Sequence, residues 1–130
     1  MIVVIDYKVG NVESVCKAFK HIGCEVSLSR RPVDMERASG LVLPGVAAFG
    51  YAVHALGEAG VPVRAAALAG TPILGICVGY QMLFDQSREY GEHRGLGLIR
   101  GRVVPIPAGR VRSGAALSIP SAADAQAIPQ

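Results

Sequence analysis

Thr71-Pro-Ile-Leu-Gly-Ile-Cys-Val-Gly-Tyr-Gln-Met-Leu-Phe84 is the stretch on which the fold turns. Thr71 to Ile76 is a short apolar run of strand length, bounded by Gly70. Cys77 follows at once. Val78 to Gln86 resumes helical spacing through Met82 and Leu83. A strand that runs straight into a helix is one step of a βαβ unit, and the same alternation recurs upstream. Met1 to Ile5 is continuously apolar and β-branched, as a strand covered on both faces requires. Asp6 to Asn11 is a polar loop. Asn11 is suited to cap a helix, and Glu13 suits its positive end. Val12, Val15, Cys16, Phe19 and Ile22 make one apolar stripe, and Gly23 is a stop signal. Glu25 to Ser29 and Gly40 to Leu43 read as further strands. Pro44 to Gly50 is a Gly/Ala-rich loop. Tyr51 to Ala59 reads as a helix ended by Gly60, and Val63 to Ala69 as one ended by Gly70. Beyond the opening stretch, Ser87 to Gly97 reads as a loop and Leu98 to Val104 as a strand. Strands alternating with helices imply right-handed crossovers, hence an α/β fold with a mostly parallel sheet and helices on both faces. Ligands of such sheets gather at the carboxyl ends of the strands. Both Gly-rich loops, Pro44 to Gly50 and Gly75 to Gly79, lie at such ends.

Composition limits the function classes. The chain has 130 residues, 51 % hydrophobic and 18 % charged, which argues against disorder of the whole chain. Mean hydropathy is +0.38. Even so, no run approaches the ~18 apolar residues of a membrane helix. The N-terminus has no basic region ahead of an apolar one, so no signal peptide is read, and a cytoplasmic location is expected. Net charge is +3. The arginine clusters, Arg30 with Arg31 and Arg100, Arg102, Arg110 and Arg112, fit a solvated face or a docking surface for an acidic partner. Aromatic content is 5 % with no Trp, so no nucleic-acid stacking platform is indicated. Three Cys without CxxC spacing indicate neither a disulfide framework nor a zinc site, and no metal is expected.

Gly75-Ile-Cys-Val-Gly79 is the thiol counterpart of the G-x-S-x-G nucleophile elbow. A sharp strand-to-helix turn forces the central residue into a strained backbone conformation. Glycines two positions to either side let the neighbouring backbones pack closely. The sulfur then points out over the sheet edge toward helix N–H groups, which favour thiolate. The N–H of Val78 is placed to hold an oxyanion. Taken alone, the pentapeptide fits a buried packing cysteine equally well. Cys16 and Cys24 read as packing residues. A cysteine nucleophile needs a base, but none of His21, His54 and His93 follows a core strand with a carboxylate two positions on. A simple thiol hydrolase using one of them is the weakest reading.

Four stretches together resemble the glutamine amidotransferase subunits of imidazole glycerol phosphate synthases, within the class I glutamine amidotransferases. They are Asp6-Tyr-Lys-Val-Gly-Asn11, Leu43-Pro-Gly-Val-Ala-Ala-Phe49, Gly75-Ile-Cys-Val-Gly-Tyr-Gln-Met-Leu-Phe84 and Gly95-Leu-Gly-Leu-Ile-Arg-Gly101. The resemblance implies a three-layer amidotransferase fold without cofactor. It implies a glutaminase in which Cys77 attacks the side-chain amide of glutamine and the ammonia passes to a cyclase subunit of histidine biosynthesis. It assigns the oxyanion N–H groups to Val46 and Val78, and substrate contacts to Gly45, Ala47, Gln81 and Glu89. It places Asn11 on the side facing the cyclase.

The sequence also departs from the family pattern. Ala47 stands where the family has a Gly that tolerates a peptide flip. The family's P-H-M-G-W stretch is replaced by Pro105-Ile-Pro-Ala-Gly-Arg-Val-Arg112. The H-P-E segment that carries the family's catalytic His and Glu has no counterpart in these 130 residues. The expectation is a partial amidotransferase domain over 1–107, its C-terminal part missing, and a poorly ordered Ala/Ser/Gly/Pro tail over 108–130. Glutamine turnover by the chain alone is expected to be slow or absent. The alternative is a non-catalytic module that docks on the cyclase.

Overall fold

A computed structural model describes residues 1–107. The tail expected over 108–130 lies outside the described residues. The order of elements is β1 (Ile2–Ile5), α1 (Val12–His21), β2 (Val26–Ser29), α2 (Pro32–Arg37), β3 (Gly40–Leu43), α3 (Phe49–Leu56), α4 (Gly60–Leu68), β4 (Ile73–Gly75), α5 (Val78–Gln81), β5 (Phe84–Ser87), β6 (His93–Arg94) and β7 (Ile99–Val103). One sheet is parallel throughout, in the order β2-β1-β3-β4. A smaller sheet, β6-β5-β7, pairs β5 parallel to β7 and antiparallel to β6.

Strand alternation sorts the large sheet into two faces. Val3, Ile5, Leu41 and Leu43 pack into one core with Met35, Phe49, Ala52, Leu56, Val63 and Ala66 from α2, α3 and α4. Val4 and Val42, of opposite parity, are buried on the other face. The chain leaves β1 toward β2, then returns past β1 to β3. Right-handed crossovers in these two directions put α1 and α2 on opposite faces. α1 touches β1 and β2. It starts as the sequence predicts, with the Asn11 side chain accepting the Ser14 N–H at 3.2 Å. It stops ahead of Gly23, whose φ of +83° is one that side chains rarely adopt.

The structure corrects several boundaries. α2 is absent from the sequence reading, although Pro32 opens it and Asp34 sits in its first turn. Gly60 follows a 3-10 turn over Gly57–Ala59 and does not end an α-helix. α3 ends at Leu56, where Gly57 turns to φ +52°. Gly60 begins α4, and a Cβ there would lie 3.2 Å from the end of the Leu96 side chain.

The largest correction concerns Val78 to Gln86. The helix is a single turn ending at Gln81, and Phe84 to Ser87 is a strand. Met82, Leu83 and Phe84 are buried in succession, so no single helix face carries them. Phe84 pairs with Ile99, and Ser87 pairs with both His93 and Val103. Those ladder bonds satisfy the backbone that a longer helix would otherwise occupy. The Asp85 carboxylate accepts the Gly101 N–H at 3.0 Å and ties β5 to β7.

Candidate active site

Three loops meet at the carboxyl ends of β1, β3 and β4, and small residues let them meet. The connections from β1 and β3 leave in opposite directions, so the crevice between these strands is a topological switch point. The β3 loop, Pro44 to Ala48, lies between the other two. On one side, an ideal Cβ on Gly10 would lie 3.0 Å from the Gly45 nitrogen. On the other, a Cβ on Gly79 would overlap the Leu43 carbonyl oxygen. A Cβ on Gly75 would overlap the backbone of Tyr80. Strand and helix therefore cross at the turn with no room for a methyl group, as the G-x-C-x-G reading requires.

Cys77 stands at the apex of this turn with φ +55° and ψ −122°. This conformation is costly for a side-chain-bearing residue and recurs at functional sites. The Ile76 N–H extends the pairing of β4 by donating to the Leu43 carbonyl at 3.0 Å. The Cys77 carbonyl accepts from Tyr80 and Gln81 and so starts α5. Backbone on both sides is thus tied down, and the thiol is exposed. The alternative of a buried packing cysteine does not hold at this position. Cys16 and Cys24 are half-buried free thiols.

The residues assigned by resemblance fall around this turn in different ways. Gly45 is buried against Val78, since an ideal Cβ on Gly45 would lie 2.5 Å from Val78 Cγ1. Val46 is exposed at the loop tip. Among the described residues, the backbone N–H groups of Val46 and Val78 have no acceptor. Ala47 lies outside the positive-φ region, which among described non-glycine residues holds Lys8, Cys77 and Tyr90. Alanine therefore holds the loop in this conformation without strain, and any cost falls on a flipped form. Gln81 is half-buried, one helical turn after Cys77. The Glu89 carboxylate accepts the Phe49 N–H at 3.3 Å, so it sits at the start of α3 where the β3 loop ends. Asn11 is exposed, with its side-chain oxygen engaged by the α1 cap.

The histidines sit on α1, α3 and β6. His21 is exposed at the end of α1, and His54 is in the last turn of α3. The His93 ring packs on Gly50, with Nε2 at 3.3 Å from the Tyr90 carbonyl. No histidine hydrogen-bonds Cys77 among the described residues. Among the same residues, no cluster of His, Cys, Asp or Glu is built to hold a metal. No helix there is long and apolar enough to cross a membrane.

One residue of this region carries no role in the sequence reading. Tyr7 is fully buried, and its hydroxyl donates to the Pro44 carbonyl. Burial first, and the negative charge of the nearby Cys77 sulfur second, hold its pKa well above the ordinary tyrosine value. The available signal was a tyrosine directly after a buried strand, whose hydroxyl needs a partner once the ring is buried.

A family model described as glutamine amidotransferase class-I matches residues 3–116. The chain belongs to the class I glutamine amidotransferase family. It is 48 % identical over 122 residues to the imidazole glycerol phosphate synthase subunit HisH of Geobacillus kaustophilus, covering 92 % of this chain and 57 % of that protein. It is 52 % identical over 109 residues to the protein of the same name from Lacticaseibacillus casei, covering 82 % of this chain and 52 % of that protein. The chain thus spans about half the length of the curated relatives it matches. A solved structure described as a glutamine amidotransferase superposes with a TM-score of 0.65 at 24 % identity, over 85 % of this chain and 59 % of that one, and shows the shared fold. In this amidotransferase domain, the loops after β1, β3 and β4 hold three of the four stretches on which the sequence resemblance rested, and the fourth, Gly95 to Gly101, leads into β7.

Proposed function

We propose that the chain supplies the nucleophile side of a glutaminase that serves a synthase of histidine biosynthesis. The observation that carries this reading is Cys77, exposed at φ +55° on the turn after β4 and one residue from the Val78 that packs on Gly45. The Cys77 thiolate attacks the side-chain amide carbon of glutamine, and a sulfur–carbon bond forms. Negative charge passes to the amide oxygen, where the free N–H groups of Val46 and Val78 serve as donors. Collapse breaks the carbon–nitrogen bond, and protonated nitrogen leaves as ammonia. Water then cleaves the γ-glutamyl thioester, releasing glutamate and restoring the thiol. Gln81 and Glu89 hold the glutamine, and Gly45 and Ala47 line its approach. The relatives named as synthase subunits support a cyclase as the receiver of ammonia, meeting the chain near Asn11.

The proton on the Cys77 thiol needs an acceptor, and no described histidine bonds to it. Alkylation by a reactive substrate analogue is therefore a cleaner test than turnover. In that reaction the thiolate displaces chloride from a chloroketone analogue of glutamine, and a thioether forms. The full chain should gain one adduct, located on the Cys77 peptide by mass spectrometry. Glutamine should protect against it, and Cys77→Ser should abolish it. Equal labelling of Cys16, Cys24 and Cys77, without protection by glutamine, would refute the reading.

A further inference from the structure

We infer that Tyr7 is a positioning residue for the oxyanion loop, holding Gly45 to Ala47 against the elbow through its bond to the Pro44 carbonyl. The inference deepens the glutaminase reading and rests on it for its chemical consequence. Its geometric basis is independent of that reading. The Tyr7 hydroxyl and Val78 Cγ1 each lie 2.5 Å from the point where a Cβ of Gly45 would be. Two groups from different segments thus converge on one backbone atom of Gly45. Tyr7 comes from the β1 loop, Gly45 from the β3 loop, and Val78 is the residue after the nucleophile. Gly45 directly precedes one of the two backbone N–H groups proposed to stabilise the oxyanion, that of Val46, and Val78 carries the other.

The hydroxyl has one evident task. A buried polar group needs a partner, and Tyr7 has the Pro44 carbonyl. That carbonyl precedes Gly45, the first residue of the segment whose conformation sets where the Val46 N–H points. Pro44 itself cannot donate a ladder bond to a neighbouring strand. The loop is therefore held at its base by a side chain from the adjacent strand end. At its far end it is held by Glu89 on the Phe49 N–H. Between these anchors the N–H groups of Val46 and Ala47 have no acceptor among the described residues. A phenol is protonated, and hence a donor, at neutral pH, and burial moves its ionisation further from that range.

Tyr7→Phe in the full chain removes the hydroxyl and keeps the ring. Two readouts apply. Backbone 15N order parameters over 45–47 should fall from about 0.85 to below about 0.6, with those in β5 and β7 unchanged, as loss of one anchoring hydrogen bond predicts. Alkylation of Cys77 by the chloroketone glutamine analogue should slow by about tenfold. Alkylation by iodoacetamide, which needs neither the glutamine pocket nor the oxyanion loop, should stay within about twofold. Unchanged order parameters over 45–47, or a fall spread evenly over the chain, overturns the inference. If the wild-type chain resists the chloroketone while iodoacetamide alkylates Cys77, the glutaminase reading fails, and the order parameters still decide the role of Tyr7. Should Tyr7→Phe not fold, the wild-type protein decides. A nuclear Overhauser contact from the Tyr7 hydroxyl proton to the Gly45 α-protons is expected, and its absence overturns the inference.

Discussion

Gly79→Ala is the sharpest perturbation of this architecture. Gly79 lies inside α5, and there an alanine normally stabilises by about 0.5–1 kcal/mol. Here the added methyl would overlap the Leu43 carbonyl oxygen and crowd the Pro44 carbonyl carbon. Both are backbone atoms of β3 and the loop it leads into, so no side chain can rotate away. Overpacking of this kind costs about 3 kcal/mol. Subtracting the helix gain leaves a net loss of about 2 kcal/mol or more. For a domain of this size that lowers the melting temperature by roughly 8–16 °C. Gly70→Ala is the control. Nothing lies within 4 Å of its Cβ, but its φ is +103°. Its cost is the left-handed penalty alone, about 1 kcal/mol. Thermal melts followed by circular dichroism compare wild type, Gly79→Ala and Gly70→Ala. Gly79→Ala melting at or above the wild type would refute the close crossing of elbow and loop, and with it the packing logic of the site.

Three further outcomes follow from the same geometry. Cys77→Gly should relieve the strain of φ +55°, a gain of about 1–3 kcal/mol offset by the about 0.5–1 kcal/mol entropy cost of glycine; a melting temperature below wild type would refute the strain. Glu89→Ala should remove the acceptor of the Phe49 N–H at the start of α3 and cost about 1 kcal/mol, seen as a lower urea midpoint with an unchanged slope; an unchanged midpoint would show that this bond carries no stability. Folding raises the Tyr7 pKa above its unfolded value of about 10, so it favours the protonated form, and this stability is whole below pH ~10 and lost as pH rises from there toward the folded pKa. Wild type should therefore lose stability above pH ~10 more steeply than Tyr7→Phe, and equal alkaline slopes in urea titrations would contradict the shift.

The sequence by itself determined the alternation of strands and helices, the chain direction of the large sheet and the sharp turn that carries Cys77. It could do so because these features rest on short-range rules. Apolar β-branched runs such as Ile2–Ile5 pair only if covered on both faces, Asn11 caps its own helix, and Gly75 and Gly79 flank one turn. It misjudged Val78 to Gln86, because Met82, Leu83 and Phe84 satisfy helical spacing and a buried run alike. Only the partners on β6 and β7, distant in sequence, chose the strand. Gly60 looked like a stop because a glycine packed beside Leu96 at a helix start reads the same as one that ends a helix. Tertiary structure alone placed Tyr7. A single buried aromatic has no period to announce it, and its role exists only because β1 and β3 are neighbours whose loops leave in opposite directions. Local chemistry thus wrote the elbow into the chain, while the packing of three loops around Gly45 had to be folded before it existed.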